Sequence, residues 1–276
     1  MREQDGLKFL EYGNQAGKTV IYFHGAPWAP EQCSFFDQYA RTHDLNIICY
    51  DRFSIDSKRQ NQAYFHYLSK LIIERSGGRK IDLIGFSIGC HAAIETVHHL
   101  QNQVRELHLI SPAAPLDAAY FLNGMAGKMI FSLAMNRSFL FTLLSYWQAF
   151  LAKIAPSLLF KMLFATAEGE DKTLAQTADF KASMKPVLTR CFATNIKGYL
   201  REIRQYVSPW RTSVLNCNAR THIWHGENDN WSPVSMAEYL KENMPLASSL
   251  ELMEGLSHYS CLYSAAPRIC AQLEKQ

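Results

Sequence analysis

The sequence predicts an α/β fold, in which a mostly parallel central β-sheet is flanked by helices and carries an inserted all-helical cap. Short runs rich in branched apolar residues alternate with helical segments until Pro112, then stop for about a hundred residues and resume at Thr221. Strands that alternate with helices pair in parallel through right-handed crossovers. We therefore expect a core made of residues 1–111 and 214–276, and a cap made of residues 112–213.

The composition is that of a globular protein. The chain has 276 residues, of which 48% are hydrophobic and 19% charged, enough for one domain with a large insertion. A net charge of +3 without a run of Lys or Arg gives no sign of nucleic-acid binding. Seven cysteines without paired spacing and a polar N-terminus favour a reduced, cytoplasmic protein. The oligomeric state is not predicted.

The part before the insertion predicts strands and helices in alternation. Residues 7–12 and 19–23 have strand composition with a turn between them, so we expect them to form a hairpin. Further strands are expected at 45–50, 81–86 and 104–110, and helices at 30–42, 60–76 and 91–97. Gly77-Gly78 is a stop signal for the second helix.

The remainder is helical until the alternation resumes. Residues 117–211 show helical apolar spacing and little β-branching. The final elements are expected to be a strand at 221–225, a helix at 234–243, a strand at 248–253 and a helix at 262–274. His222 and His225 flank Trp224, and we expect them on one face of their strand, where two histidines are too few for a metal site.

The segment Gly85-Phe86-Ser87-Ile88-Gly89 has the spacing of a serine at a sharp turn from strand to helix. Such a backbone is strained and crowded, and it needs small residues two positions away on either side. The partial positive charge of a helix N-terminus favours a developing oxyanion there. The plainer interpretation is a glycine-flanked serine in an ordinary turn.

Two other loops supply the partners that a catalytic serine needs. Asp229 and His258 each follow the end of a predicted strand, and ligands bind at that edge of a parallel sheet. A serine hydroxyl needs an imidazole to accept its proton, and the imidazole needs a carboxylate to hold its tautomer. Asp117 is an alternative acid. His91 lies one helical turn from Ser87, but packing inside the fold explains it better than catalysis.

These pieces together resemble the α/β-hydrolase superfamily over nearly the whole chain. The matching segments are His24-Gly-Ala-Pro27, Asp51-Arg52, Gly85-Phe-Ser-Ile-Gly89, Gly226-Glu-Asn-Asp229 with Pro233, and Gly255-Leu-Ser-His258. The resemblance implies Ser87 as nucleophile, His258 as base and Asp229 as orienting acid. It also implies an oxyanion hole made by the backbone N–H groups of Ala26 and Ile88, with the amide of Trp28 as an alternative. We interpret Asp51 and Arg52 as a structural ion pair.

The predicted cap indicates the kind of substrate. Residues 121–164 are dense in Phe, Leu and Met, with Tyr146 and Trp147 among them. The cap contains 12 Lys and Arg against 6 Asp and Glu. Its longest uncharged run, 138–152, is shorter than the roughly 20 residues that span a bilayer. A basic cap rich in apolar side chains suits an anionic, amphiphilic substrate or weak contact with a membrane surface.

The sequence therefore predicts a serine hydrolase, without cofactor or metal, that cleaves esters with an apolar acyl or alcohol part. Trp28, Phe86 and Trp147 are the expected substrate-binding residues. Thioester hydrolysis and cleavage of a carbon–carbon bond next to a ketone use the same machinery and stay open. A different class also stays open, namely a non-catalytic binding protein whose cap closes on a small ligand.

Overall fold

One eight-stranded sheet forms the centre of the protein. The computed structural model describes residues 1–274, apart from the side chain of Gln101; Lys275 and Gln276, the end of the predicted core, lie outside the described residues. The strand order is β1-β2-β4-β3-β5-β6-β7-β8. The strands are β1 Arg2–Gln4, β2 Leu7–Gly13, β3 Lys18–Phe23, β4 Leu45–Tyr50, β5 Ile81–Phe86, β6 Val104–Ile110, β7 Arg220–Gly226 and β8 Ala247–Met253. The strands from β4 to β8 in this order are parallel, which confirms the predicted fold class.

Helices flank this sheet and fill the long segment between β6 and β7. They are α1 Asp37–Thr42, α2 Asn61–Ser76, α3 Gly89–Leu100, α4 Lys128–Asn136, α5 Ser138–Ile154, α6 Pro156–Leu163, α7 Asp171–Leu174, α8 Ala178–Leu188, α9 Ile196–Val207, α10 Arg211–Leu215, α11 Val234–Asn243 and α12 His258–Glu274. A π-helical turn, Thr189–Thr194, joins α8 to α9. The last helix begins at His258, four residues before the predicted start at 262.

The expected hairpin between the first two predicted strands is wrong. β2 pairs antiparallel with β4, and β4 separates it from β3. The turn at 14–17 explains this pairing. The backbone amides at its two ends donate hydrogen bonds to residues at the start of β4 instead of to each other's strand. Asn14 N donates to the Leu45 carbonyl and Lys18 N donates to the Asp44 carbonyl, each at 2.8 Å. The start of β4 is thereby held between the two strands.

The central strands are buried on both faces. Every residue of β4 and β5 is buried, as expected for parallel strands covered by helices on each side. Their branched apolar side chains form the core on which the loops at the carboxyl edge rest. α2 ends at Gly77 in the left-handed conformation with φ of 61°, which glycine adopts without a steric penalty.

The segment between β6 and β7, which we call the helical insertion, contains no strand among its described residues. The predicted boundaries of core and cap stay a prediction. None of the helices in residues 1–274 is both long and apolar enough to cross a bilayer.

A buried ion pair ties the helical insertion to the end of β4. Arg52 Nη1 lies 2.6 Å from Glu202 Oε2 on α9, and both side chains are almost fully buried. Asp51 instead accepts a hydrogen bond from Asn195 at 2.9 Å. The predicted pairing of Asp51 with Arg52 is therefore wrong: these neighbours bond different partners, and each of them has a partner in the insertion.

Candidate active site

Ser87 occupies a strained turn between β5 and α3. Its φ is 56°, a left-handed conformation that is uncommon for any residue with a side chain. The sterics of the turn explain both glycines: a Cβ on Gly85 would lie 2.8 Å from Cys90 Cα, and one on Gly89 would lie 2.2 Å from the Phe23 carbonyl oxygen. The turn is held by a 3.0 Å hydrogen bond from Ser87 N to the Ile110 carbonyl.

Two backbone amides beside Ser87 are without partners. Neither Ala26 N nor Ile88 N donates a hydrogen bond to any other residue in the described part of the chain. Both residues line the same cavity as Ser87. Trp28, whose amide was the alternative donor, is buried and does not line this cavity. Free N–H groups at this position can stabilise an anionic oxygen on a bound substrate.

Asp229 and His258 are brought together from two loops. His258 Nδ1 lies 2.7 Å from Asp229 Oδ2, and both side chains are almost fully buried. The other carboxylate oxygen accepts hydrogen bonds from Trp231 N at 2.8 Å and Ser232 N at 2.9 Å. Burial raises the pKa of Asp229, but the adjacent His258 imidazole and these hydrogen bonds outweigh it, so the pKa lies below its ordinary value. Asp229 is therefore ionised at neutral pH.

The imidazole of His258 lies next to the Ser87 turn. The Phe86 ring packs against it at 4.8 Å between centroids, and the Trp231 ring stacks on it at 5.6 Å with planes 15° apart. Within residues 1–274 the Ser87 hydroxyl makes no hydrogen bond to His258. Such contacts are often long before substrate binds. Phe86, the residue before Ser87, is the contact that joins this turn to the imidazole.

A carboxylate from the helical insertion holds the helix that begins with His258. Asp171 Oδ2 accepts from Tyr259 N at 2.9 Å and Asp171 Oδ1 accepts from Ser260 N at 2.7 Å, so this buried side chain caps α12. Burial raises the pKa of Asp171. The sequence around residue 258 does not predict this cap, because the capping Asp lies almost 90 positions away.

Further hydrogen bonds join the helical insertion to the loops that carry Asp229 and His258. Asn230 Nδ2 donates to the Thr166 carbonyl at 2.6 Å, and Ala126 N donates to the Asn230 carbonyl at 2.7 Å. Glu170 N donates to the Gly255 carbonyl at 3.0 Å. The insertion thus positions both loops from outside the sheet.

A cavity of about 260 Å³ opens over Ser87. Its floor includes Ala26, Ser87 and Ile88, and its walls come mostly from apolar side chains of the helical insertion, among them Phe131 and Leu159. Ligand sites are typically concave and mainly apolar with few polar groups. The arrangement can therefore hold an apolar molecule against a serine hydroxyl and two free amides.

The three aromatic residues expected to bind substrate do not line this cavity. Trp28 and Phe86 are buried and pack on each other at 5.4 Å between centroids, so they support the turn from beneath. Trp147 lies on the solvent side of α5 and is 44% exposed. Helical spacing alone did not reveal which side of α5 faces the cavity.

The other candidates lie apart from the Asp229–His258 pair. Asp117 is exposed and lies near Tyr239, which makes it a poor alternative acid. His91 packs on Trp210 at 4.7 Å, and burial lowers its pKa to about 4.

His222 and His225 have different partners, so the expectation that they share a face is wrong. His222 hydrogen-bonds Ser249, whereas His225 hydrogen-bonds the Ser232 carbonyl beside Asp229. Positions three apart in a strand point to opposite sides. Among residues 1–274 no group of three or more His, Cys, Asp or Glu side chains is arranged to hold a metal ion.

A family model described as lipid-droplet associated hydrolase matches residues 51–261, about three quarters of the chain. The match covers the Ser87 turn, Asp229 and His258. No curated protein sequence matches the chain.

Solved structures show the same fold at low identity. A bromoperoxidase from Bacillus anthracis is 18% identical, with a TM-score of 0.71 over 97% of this chain and 94% of that one. An esterase from Exiguobacterium antarcticum is 18% identical, with a TM-score of 0.70 over 99% and 97%. A hydrolase from Oleispira antarctica is 16% identical, with a TM-score of 0.68 over 97% and 94%. These likenesses establish the α/β-hydrolase fold.

Proposed function

The chain belongs to the lipid-droplet associated hydrolase family, within the α/β-hydrolases, and from this premise we propose that it is a serine hydrolase of carboxylic esters with an apolar part. The single observation that carries the proposal is the placement of Ser87. It lies in a strained turn and lines an apolar cavity together with Ala26 and Ile88, and its neighbour Phe86 packs on His258 of the buried Asp229–His258 pair. The esterases among the solved relatives support hydrolysis of esters.

In the proposed reaction His258 accepts the proton of the Ser87 hydroxyl while the Ser87 oxygen attacks the ester carbonyl carbon. The carbonyl oxygen becomes an oxyanion, which accepts hydrogen bonds from Ala26 N and Ile88 N. The bond to the alcohol oxygen then breaks, and His258 returns the proton to the departing alcohol. Water, deprotonated by His258, attacks the acyl-enzyme and releases the acid and the Ser87 hydroxyl.

Asp229 supports this sequence by fixing one tautomer of His258. Its carboxylate accepts the Nδ1–H, which leaves Nε2 free to accept a proton. The ionised carboxylate also stabilises the imidazolium that forms during each step. The proposed cycle uses only groups of this chain, so the proposal requires no cofactor or metal.

Thioester hydrolysis and carbon–carbon bond hydrolysis next to a ketone could use the same residues. The ester is favoured here because the cavity walls are mostly apolar and an esterase is among the solved structures with this fold. A non-catalytic binding protein is the alternative from another class. The strained backbone of Ser87, which lines the same cavity as two free amides, argues against it, because such strain persists mainly at functional sites.

The test uses a fluorophosphonate probe and nitrophenyl esters of increasing acyl length. We expect the probe to label Ser87, and we expect Ser87→Ala to abolish both labelling and turnover. Matched thioester and β-diketone substrates rank the three reactions by kcat/KM. Folded protein that resists the probe, and whose ester turnover is unchanged by Ser87→Ala, would refute the enzyme proposal.

The helical insertion carries an unusually large apolar surface. Eleven of the seventeen exposed large apolar side chains in the described residues lie on α4, α5 and α6. We call this set the apolar face: Met129, Met135, Phe139, Leu140, Leu143, Tyr146, Trp147, Phe150, Ile154, Leu158 and Met162. A concentration of exposed apolar side chains on three successive helices indicates an interaction site.

Charge identifies the partner of the apolar face. Between Asp117 and Glu168 the sequence contains no acidic residue, whereas Lys128, Arg137 and Lys153 are exposed around the face. Basic groups beside exposed aromatic and aliphatic side chains suit an anionic lipid surface. Met129 and Met162 belong both to the face and to the cavity lining. We therefore propose that the protein docks on lipid through the apolar face, with the cavity opening toward it.

Docking is tested with phosphatidylcholine vesicles, with and without phosphatidylserine. A triple variant, Phe139→Ser, Leu143→Ser and Phe150→Ser, should bind vesicles at least about 100-fold more weakly, since each buried side chain contributes about 1.5–3 kcal/mol. Its turnover of soluble esters should be unchanged. Leu246→Ser, an exposed apolar residue away from the face, is the control. Equal binding by the triple variant and the natural chain would exclude this surface.

The seven cysteines are all free and buried, which supports a cytoplasmic location.

A further inference from the structure

Two residues that line the cavity over Ser87 each carry a buried polar side-chain atom without a hydrogen-bond partner. Among the described residues, these are Gln148 Oε1 and Trp231 Nε1. An unpaired buried polar group is destabilising, and the great majority of such groups in proteins are hydrogen-bonded. A pair of them in one ligand cavity therefore points to polar groups on the ligand.

Gln148 is out of place on its helix. The buried side of α5 is otherwise formed by small or apolar residues, including Phe141, Ala149 and Ala152. Ser145 is the other polar residue there, and its hydroxyl is satisfied by the Phe141 carbonyl at 2.8 Å. Gln148 is only 8% exposed and has no such internal partner for Oε1.

The two unpartnered atoms have opposite roles. Trp231 Nε1 can only donate, and its ring is stacked on His258, so it lies at the reacting end of the cavity. Gln148 Oε1 can only accept, and it belongs to the insertion wall, whereas Ser87 belongs to the core side. A donor on the substrate is therefore needed at a distance from the ester.

We infer that Gln148 is a specificity residue that accepts a hydrogen bond from a hydroxyl group on the apolar part of the substrate. The preferred substrate class is thus a hydroxylated lipid ester rather than a plain hydrocarbon ester. This inference rests on the proposed serine hydrolase function and narrows its substrate. A site built around a substrate hydroxyl rejects the analogue that lacks it, because the buried acceptor is then left unpaired.

The experiment compares nitrophenyl esters of one acyl length, either plain or carrying a hydroxyl at successive chain positions. At one position we expect kcat/KM to exceed that of the plain ester by about 10-fold, equivalent to about 1.4 kcal/mol. In Gln148→Leu this preference should vanish, and turnover of the plain ester should rise. If the branched leucine of Gln148→Leu does not pack and the variant fails to fold, Gln148→Met takes its place. Ser145→Ala should leave the ratio unchanged.

The role of Gln148 and the serine hydrolase function can be refuted separately. Normal labelling of Ser87 and normal turnover of plain esters, without hydroxyl preference at any position, would overturn the role of Gln148 alone; a water molecule would then satisfy its Oε1. A preference that survives in both Gln148 variants would also overturn it. Absence of labelling and of all turnover would overturn the hydrolase function and this inference with it.

Discussion

Replacing Glu202 by Gln should destabilise the protein strongly, because it breaks the buried connection between the helical insertion and the core. Glu202 is 3% exposed and lies 2.6 Å from Arg52 Nη1 and 3.4 Å from Arg201 Nη2. Arg52 also donates to the Tyr64 hydroxyl and to the His24 carbonyl. In Glu202→Gln both guanidinium groups stay buried without their counter-charge.

The magnitude follows from the pKa of this carboxyl group. Burial alone would raise the pKa of Glu202, but Arg52 and Arg201 outweigh it and lower the pKa from 4.5 to about 2. That difference corresponds to about 3 kcal/mol of preference for the ionised form in the folded state. Loss of one partner of a buried ion pair costs about 3–5 kcal/mol. We expect Glu202→Gln to lower the free energy of unfolding by about 3 kcal/mol at pH 7.

Urea unfolding followed by fluorescence measures this effect, and pH provides an independent check. The contribution of Glu202 is fully present above pH 4.5, where the unfolded carboxyl is ionised, and is lost as the pH falls from 4.5 toward 2. The difference between the natural chain and Glu202→Gln should therefore shrink over that range. Glu74→Gln, in an exposed pair with Lys70, is the control and should cost less than about 1 kcal/mol.

A double-mutant cycle with Arg52→Met isolates the pair. The double variant should be more stable than the sum of the two single changes predicts, because it leaves one fewer unpaired charge. The reasoning is wrong if Glu202→Gln costs no more than Glu74→Gln, or if its effect is the same at pH 3 and pH 7.

Three further predictions concern the Ser87 turn and the elements around His258. Gly89→Ala should destabilise the protein by about 3 kcal/mol, since the new Cβ would lie 2.2 Å from a carbonyl oxygen. Gly124→Ala, whose new Cβ would lie no closer than 3.1 Å from the Pro233 side chain, should cost far less in the same thermal melt. Asp171→Ala should remove the N-terminal cap of α12, which lowers the free energy of unfolding by about 1–2 kcal/mol and also lowers kcat. Thr177→Ala, which removes the cap of α8, should lower stability only. Equal kcat in the two variants would contradict the role of Asp171. Asp229→Asn should lower kcat about 10³–10⁴-fold with KM little changed, and a loss below tenfold would refute its orienting role.

Local steric patterns were the most predictable from the sequence. Gly85 and Gly89 are required by atoms within a few residues of Ser87 or on the adjoining strand, so their spacing alone predicted the turn. The bounds of β5 were predicted correctly because its residues are apolar apart from Asp82, whereas α3 extends beyond the predicted 91–97 at both ends. The contact between Asp229 and His258 followed from placing both loops at the same edge of a parallel sheet.

Pairings between strands or residues that lie far apart in the sequence were not predictable. β2 pairs with β4 rather than β3 because turn amides bond the start of β4, which no pattern in residues 7–23 reveals. Arg52 and Glu202 are 150 positions apart. Asp171 and Gln148 were missed for a related reason: apolar spacing marks a helix as amphipathic, but it does not say which side meets a cavity or another helix.

The cap that Asp171 places on α12 limits how this protein could be rebuilt by exchange of segments. Chimeras that transplant residues 112–213 from a relative would remove the carboxylate that Tyr259 N and Ser260 N rely on. His258 of the protein that receives the segment would then be misplaced, even if the transplanted cavity walls suited a different substrate. Successful grafts should retain an acid at position 171, so the border between interchangeable and fixed parts runs through the insertion, between α6 and α7.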